Sequence, residues 1–191
     1  MKTEDVAYVA ISHVHIDHSG GAGTLLNLLP DARVIVHPRG ARHLANPEKL
    51  WLQSREVLED VVERFGKPLP VPEDRIIAAS DGLTFEAGNV KLKAIETLGH
   101  ASHHLSYYEP VNRGVFPGDA AGIYLSQFEV VVPTAPPPFH PDVALASLDK
   151  LIRFNPQTLY FSHFGNASDA VKRLQDYALQ IRLWADIARE A

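Results

Sequence analysis

The chain has 191 residues, of which 46% are hydrophobic and 21% are charged, as in an ordinary globular domain. Its formal net charge is −5, and this acidic balance argues against nucleic acid as a main partner. The sequence contains no cysteine, so disulfides and thiolate ligands are excluded and any metal must be held by nitrogen and oxygen.

The sequence gives no indication of a membrane-binding segment. The residues after Met1 lack the apolar core of a signal peptide, and no apolar run is long enough to span a bilayer. Positive and negative charges are mixed along the chain. We therefore expect a cytoplasmic protein with no membrane partner.

The first part of the chain is predicted to alternate strands and helices. Val6–Ile11 is an apolar run typical of a buried strand, and Arg33–His37 predicts the next strand. Between them, residues 23–29 predict a short helix that ends before Pro30. From about residue 38 to 66 we expect a helical insertion with apolar residues at helical spacing. This segment either covers the core or forms a lid that faces the substrate.

The rest of the chain is predicted to contain further strands and two longer helices. The segment Gln127–Pro138 contains four prolines and is expected to be irregular. The predicted strands are 75–79, 83–87, 89–98, 105–108, 113–116 and 159–162, and the predicted helices are 141–154 and 168–190.

The most informative stretch follows the first strand. Four potential metal ligands occur within six residues: His13, His15, Asp17 and His18. Alternate side chains of an extended chain point the same way, so His13 and His15 can converge on one ion. A Ser-Gly-Gly sequence follows His18 and allows a sharp turn, which would direct Asp17 and His18 towards a second point. Imidazole and carboxylate ligands suit zinc, with iron and manganese as alternatives.

Three later residues lie where a predicted strand gives way to a loop containing glycine. These residues are His100, Asp119 and His163. Loops at strand ends commonly carry the functional site of α/β folds. A lone histidine is weak support for a metal site, but together with the first motif these three residues complete a ligand set. His37, His43 and His140 lie in no motif and are predicted to be surface histidines.

The order His-X-His-X-Asp-His, preceded by an apolar strand and followed by Gly20-Gly21, resembles the signature of the metallo-β-lactamase superfamily. Gly99–His104 is similar to the Gly-His-Thr-Pro-Gly-His stretch of that family. Residues 116–120 resemble its Gly-Asp block, and Ser162–Gly165 its last histidine motif. The resemblance runs nearly from end to end of the chain.

The resemblance implies two divalent metal ions, with zinc as the first expectation and iron or manganese as alternatives. The first ion would be bound by His13, His15 and His100, the second by Asp17, His18 and His163, and Asp119 would bridge them. Asp17 would also be catalytic, since in the family this residue orients a metal-bridging hydroxide. His104 would be structural rather than a ligand.

The resemblance also implies an α/β (α+β) fold, the αββα sandwich in which two sheets are each flanked by helices. Only one strand precedes the first motif, where the family usually has several. We therefore expect a fold shortened at its N-terminus. It would form a single domain over residues 1–191, either as a natural short form or as a fragment of a longer domain. A sheet face left uncovered would favour a homodimer.

The resemblance implies hydrolysis of a small-molecule substrate that is an ester, lactone, thioester or phosphoester. His15 argues against redox chemistry, because the diiron oxygen- and nitric-oxide-reducing members of the family carry glutamate there. Gly122 stands where acyl-homoserine lactonases carry a tyrosine. The alternative hypothesis is a metal-binding but weakly active fragment or interaction module of a larger protein with this fold.

Overall fold

The computed structural model describes residues 2–190. The chain divides into two compact units, Met1–Ser80 and Asp81–Ala191. The ligand candidates divide between them, with His13 to His18 in the first unit and His100 to His163 in the second. Each unit is described below on its own.

The first unit is built on a three-stranded parallel sheet with the strand order β1-β2-β3. The strands are β1 (Tyr8–Ala10), β2 (Arg33–Val36) and β3 (Ile76–Ala78). The central strand β2 is an apolar run, and its Val34, Ile35 and Val36 are fully buried. This agrees with the rule that strands covered on both faces are continuously hydrophobic.

Four helices complete the first unit: α1 (Ile16–Ser19), α2 (Ala22–Leu26), α3 (Pro38–Ala45) and α4 (Glu48–Leu58). A 3₁₀ segment, Glu59–Arg64, continues α4. The segment from about residue 38 to 66 is therefore two α-helices and a 3₁₀ segment. Its assignment as an insertion in a single domain stays a prediction.

The second unit contains a six-stranded mixed sheet with the order β11-β10-β7-β6-β5-β4. The hairpin strands β8 (Ile123–Leu125) and β9 (Val130–Val132) pair separately. The sheet strands are β4 (Thr84–Ala87), β5 (Val90–Glu96), β6 (Leu105–Glu109), β7 (Gly114–Phe116), β10 (Thr158–Tyr160) and β11 (Asn166–Ala167).

Two amphipathic helices, α5 (Pro141–Arg153) and α6 (Ala170–Glu190), pack on this sheet. Leu148 and Leu151 of α5 are fully buried, as is Leu174 of α6. These side chains share one core with strand residues such as Leu159. The pattern is that of helices covering a sheet through one apolar face.

Several details differ from the sequence-based expectations. Asp17 and His18 lie on the helical turn α1, not on a turn created by the following glycines. Strands β8, β9 and β11 were not predicted, and β9 falls inside the segment expected to be irregular. These strands have two or three residues each, too few to produce a periodic pattern.

Candidate metal centre

The first ligand loop begins where β1 ends. The N–H of Ile11 donates to the carbonyl of Ile35 at 2.9 Å, which extends the pairing of β1 with β2 by one residue. The carbonyl of His15 then accepts the N–H of Ser19 at 2.9 Å and starts α1. His13 thus precedes the helix, His15 caps it, and Asp17 lies in its first turn.

The three histidines of this loop lie together. Nδ1 of His13 is 3.0 Å from the Ser12 hydroxyl, and its Nε2 faces Nδ1 of His15 at 3.0 Å. The rings of His13 and His18 are 4.1 Å apart between centroids. Two nitrogens that each lie about 2.1 Å from one ion are about 3.0–3.4 Å apart, for bond angles between 90° and tetrahedral. The His13–His15 separation therefore fits two ligands of a shared ion.

Burial differs sharply among these residues. His13 is fully buried, whereas His15 and His18 are half-buried. The Asp17 side chain is 39% exposed, and its Oδ2 lies 3.2 Å from Nε2 of His18. Asp17 is therefore the most solvent-exposed of the four ligand candidates in this loop.

The second unit gathers its three ligand candidates around Asp119. Nε2 of His100 lies 3.7 Å from Oδ2 of Asp119, and Nε2 of His163 lies 3.5 Å from Oδ1. Both distances exceed the usual 2.7–3.2 Å of a hydrogen bond. The carboxylate thus presents one oxygen to each histidine, an arrangement that fits a carboxylate shared between two ions.

Tight backbone turns place these three side chains. Gly99 has φ +125°, and a Cβ on it would lie 2.6 Å from the Cα of Ala144 in α5. Gly118, just before Asp119, has φ +58°. His163 lies in the turn between β10 and β11, which is closed by a bond from the Phe161 N–H to the Gly165 carbonyl. Glycine before each of the first two ligands permits conformations that other residues rarely adopt.

His104 takes part in a chain of hydrogen bonds whose direction can be assigned. Its Nε2 accepts the backbone N–H of Asp119 at 3.1 Å, so the ring proton is on Nδ1 and is donated to Thr97 Oγ1 at 2.9 Å. Thr97 then donates to Ser106 Oγ at 2.8 Å, and Ser106 to the Pro117 carbonyl at 3.0 Å. Both ring nitrogens are used in this way, so His104 positions the Asp119 loop and does not bind metal, as the resemblance implied.

The other histidines differ from the prediction in one case. His37 was predicted to be a surface residue but is only 4% exposed, and its Nδ1 accepts the Arg39 N–H at 3.1 Å as the N-cap of α3. The N-cap role explains its burial, since it satisfies a backbone donor at the helix start. His140 is exposed. His43 is half-buried, and its pKa is lowered by burial and by the nearby Arg42 and Lys49.

Gly122 shows why a tyrosine does not fit at this position. Its φ is +76°, and a Cβ there would lie 2.6 Å from the carbonyl oxygen of Val132 and 2.8 Å from Cγ1 of Val131. A separation below 3.0 Å requires the backbone to move. The position at which lactonases of the family carry tyrosine is therefore closed to a side chain here.

Comparison with known proteins reveals relatives along most of the chain. A sequence model of the metallo-β-lactamase superfamily matches residues 2–163. A metallo-β-lactamase fold-containing protein of Sulfurisphaera tokodaii is 31% identical over 168 residues, which cover 86% of this chain and 62% of that protein. The chain thus spans less than two thirds of the length of this relative.

Solved structures show the same fold. A metallo-β-lactamase superfamily protein of the archaeon Sulfolobus tokodaii superposes with a TM-score of 0.81 at 30% identity, covering 91% of this chain and 67% of that one. A Thermus thermophilus family protein gives 0.73 at 24% identity, with coverages of 95% and 62%. A protein solved in a di-iron-bound form gives 0.63 at 23% identity, with coverages of 86% and 73%. The predicted α/β fold is confirmed.

Proposed function

Because this chain belongs to the metallo-β-lactamase superfamily, we propose that it is a metal-dependent hydrolase with two divalent ions bound per chain. The proposed ligands are those predicted from the sequence: His13, His15, Asp17, His18, His100, Asp119 and His163. The observation that carries the proposal is that each unit gathers its own part of this set. The 3.0 Å between His13 and His15 suits two ligands of one ion, and the Asp119 carboxylate presents one oxygen to each of two histidines at 3.5–3.7 Å.

The donor set also indicates the class of metal. The set contains imidazole and carboxylate groups only, and these groups bind zinc, iron and manganese. Zinc is the proposed ion, with iron as the second candidate because one structural relative was solved in a di-iron-bound form. When bound, such ions polarise a carbonyl or phosphoryl oxygen and lower the pKa of water towards neutrality.

Asp17 is the proposed catalytic residue. It is the most exposed of the ligand candidates in the first unit, so its carboxylate can accept a proton from the attacking water and pass it on. The substrate proposed is an ester, lactone, thioester or phosphoester. The geometry at Gly122 argues against the tyrosine-assisted mode of the acyl-homoserine lactonases, since that tyrosine has no place here.

The exposed ring of Phe164 favours a substrate that carries an apolar group. It follows His163 directly, its ring is 69% exposed, and the two ring centroids are 6.2 Å apart. Its φ of +65° is rare for a bulky residue, and such strain often marks a functional site. Trp51, by contrast, is only 7% exposed and packs on Ile16, so it is not available as a contact for an acyl group.

Hydrolysis of chromogenic substrates tests the proposal. Zinc-loaded protein is expected to hydrolyse p-nitrophenyl butyrate or bis-p-nitrophenyl phosphate, and Asp17→Asn is expected to lower kcat by about 100-fold or more. His43→Ala is the control and should leave kcat unchanged. Metal-loaded protein that is inactive on ester, lactone, thioester and phosphodiester alike would favour the weakly active interaction module instead.

Phe164→Ala separates substrate binding from catalysis. We expect it to raise KM for an apolar ester while kcat and metal content stay close to those of the unchanged protein, because only the apolar contact is removed. Phe128→Ala is the matched control, since Phe128 is similarly exposed at 68% but lies between β8 and β9. Equal KM values for the two variants would contradict a role for Phe164.

A further inference from the structure

Thr134 contacts two of the proposed ligands at once. It lies in the proline-rich segment that follows β9 and is half-buried. Its backbone carbonyl lies 3.3 Å from Nδ1 of His100, and its hydroxyl donates to the backbone carbonyl of Asp119 at 3.0 Å. No sequence motif singles out this threonine, and the resemblance assigns it no role.

Tyr177 reaches Thr134 from the middle of α6. The ring is 2% exposed, and its phenol oxygen is hydrogen-bonded to both the backbone and the side chain of Thr134. The contact with Thr134 lowers the pKa of the phenol, so the Thr134 backbone N–H is a donor to the phenol oxygen. Burial raises the pKa of Tyr177 to about 12, although the hydrogen bonds from Thr134 act in the opposite direction. Tyr177 therefore links α6 to Thr134 through the oxygen of a neutral phenol.

The contact with Thr134 selects one tautomer of His100. A carbonyl oxygen is only an acceptor, so the ring must carry its proton on Nδ1 and leave the lone pair of Nε2 available. Nε2 is the nitrogen that faces the Asp119 carboxylate. A metal-binding histidine is commonly oriented in this way by a carbonyl on its other nitrogen, and loss of such a partner typically weakens metal binding by 10- to 100-fold.

We propose that Thr134 and Tyr177 are positioning residues of the metal centre, through which helix α6 fixes the tautomer of His100 and the backbone of Asp119. This inference rests on the proposed function, because it assigns a role towards the ions that the seven ligands would bind. It predicts that a change in α6, at a residue that touches no metal, alters metal affinity.

Removal of single hydroxyl groups tests the proposal. Tyr177→Phe and Thr134→Val each remove one hydroxyl with little change of shape, and we expect both to weaken zinc binding by about 10-fold in competition with a chromophoric chelator. Thr134→Ser keeps the hydroxyl and should bind zinc as the unchanged protein does. Tyr124→Phe is the matched control, because Tyr124 is also buried, at 6% exposure, in the same core.

A spectroscopic readout separates positioning from a general loss of stability. In zinc-loaded protein, the Nδ1–H signals of His100 and His104 are observed by correlation of imidazole protons with ¹⁵N. We expect Tyr177→Phe to shift the His100 signal or speed its exchange with water, while the His104 signal, which depends on Thr97, is unchanged.

The outcomes are distinguishable. Zinc affinity and a His100 signal in Tyr177→Phe equal to those of Tyr124→Phe would overturn this inference and leave the proposed function intact. Equal disturbance of the His100 and His104 signals would also overturn it, because the tyrosine would then be purely structural. Unchanged protein that binds neither zinc, iron nor manganese would overturn both the inference and the proposed function.

Discussion

Two histidines four residues apart, His100 and His104, carry the ring proton on the same nitrogen, Nδ1, but have different roles because of the group that Nε2 faces. His100 donates through Nδ1 and directs Nε2 towards the Asp119 carboxylate. His104 uses both nitrogens in hydrogen bonds and is fully buried. The chain of bonds through His104 ends on the Pro117 carbonyl, so the loop that carries Asp119 is held at two backbone positions.

His104→Ala should therefore disturb the metal centre although His104 is not a ligand. The change leaves the buried N–H of Asp119 without an acceptor, which costs about 1–3 kcal/mol in the free energy of unfolding. We expect a loss of this size in urea unfolding, together with a lower metal content after dialysis. His140→Ala is the control, since His140 is exposed and lies outside this chain of bonds. A full metal content in His104→Ala would argue against the positioning role.

The sequence predicted the proposed ligands but not the residues that hold them. The ligand candidates lie in short motifs of recognisable residue types. The residues that position them lie in no such motif: Thr97, Ser106, Thr134 and Tyr177. Thr134 lies 34 positions from His100 along the chain. Such a pairing depends on how strands and helices pack in three dimensions, and one sequence contains no direct signal for it.

At the scale of elements, α5 packs so closely on the loop before His100 that only glycine fits there. A Cβ on Gly99 would lie 2.6–2.7 Å from Ala144, and its φ is +125°. The loop is also held by a bond from the Ser147 hydroxyl to the Leu98 carbonyl at 2.7 Å. The helix thereby fixes the position of His100 through backbone contact.

Gly99→Ala is expected to cost more than its backbone conformation alone explains. Gly82 offers the matched comparison, because its φ is +86° but nothing lies within 4 Å of a Cβ placed there. Gly82→Ala should cost about 1–2 kcal/mol from the left-handed conformation. Gly99→Ala should cost about 1–3 kcal/mol more from overpacking, and should also weaken zinc binding. Equal unfolding midpoints in urea for the two variants would contradict the claim that α5 leaves no room for a Cβ at position 99.

In the first unit, helix α4 supports α1 through side-chain packing. Trp51 is 7% exposed and packs with Val62 and with Ile16, the residue between His15 and Asp17. One face of the predicted helical segment therefore covers the core. Other side chains of this segment, including Leu52 and Phe65, are about half exposed.

Trp51→Ala should destabilise the protein by about 3–5 kcal/mol, because it leaves a cavity beneath the helix that carries Asp17 and His18. Trp184→Ala, at a tryptophan that is 47% exposed, should change the free energy of unfolding by about 0.5 kcal/mol or less. Urea titrations followed by circular dichroism measure both. Similar midpoints for the two variants would show that Trp51 does not support α1.

Most of the longer elements agree with their sequence patterns, and the shortest ones do not. The helix Ala170–Glu190 and the strand Val90–Glu96 were predicted to within three residues at each end. The four-residue turn α1 is not evident from the sequence, because the motif predicts extended chain followed by a glycine turn. Histidine and aspartate at its start give no strong helical signal, and the helix is established by tertiary packing of Ile16.

At the scale of the whole molecule, the comparisons establish the family, and the structure describes two compact units that each contain part of the ligand set. Among residues 2–190 no helix is long and apolar enough to cross a membrane. The chain covers 62% of the Sulfurisphaera tokodaii protein, so the activity and substrates of full-length relatives apply to this chain only as proposals. The predicted homodimer stays a prediction that light scattering can test.

The central proposal is that the chain binds two metal ions through the seven predicted ligands. Metal content by plasma mass spectrometry, on protein dialysed against metal-free buffer, tests it most directly. The account predicts about two zinc, iron or manganese ions per chain, with a clear loss in His13→Ala and in His163→Ala and none in His43→Ala or His140→Ala. A content near zero in the unchanged protein, or a loss on changing His43, would contradict it.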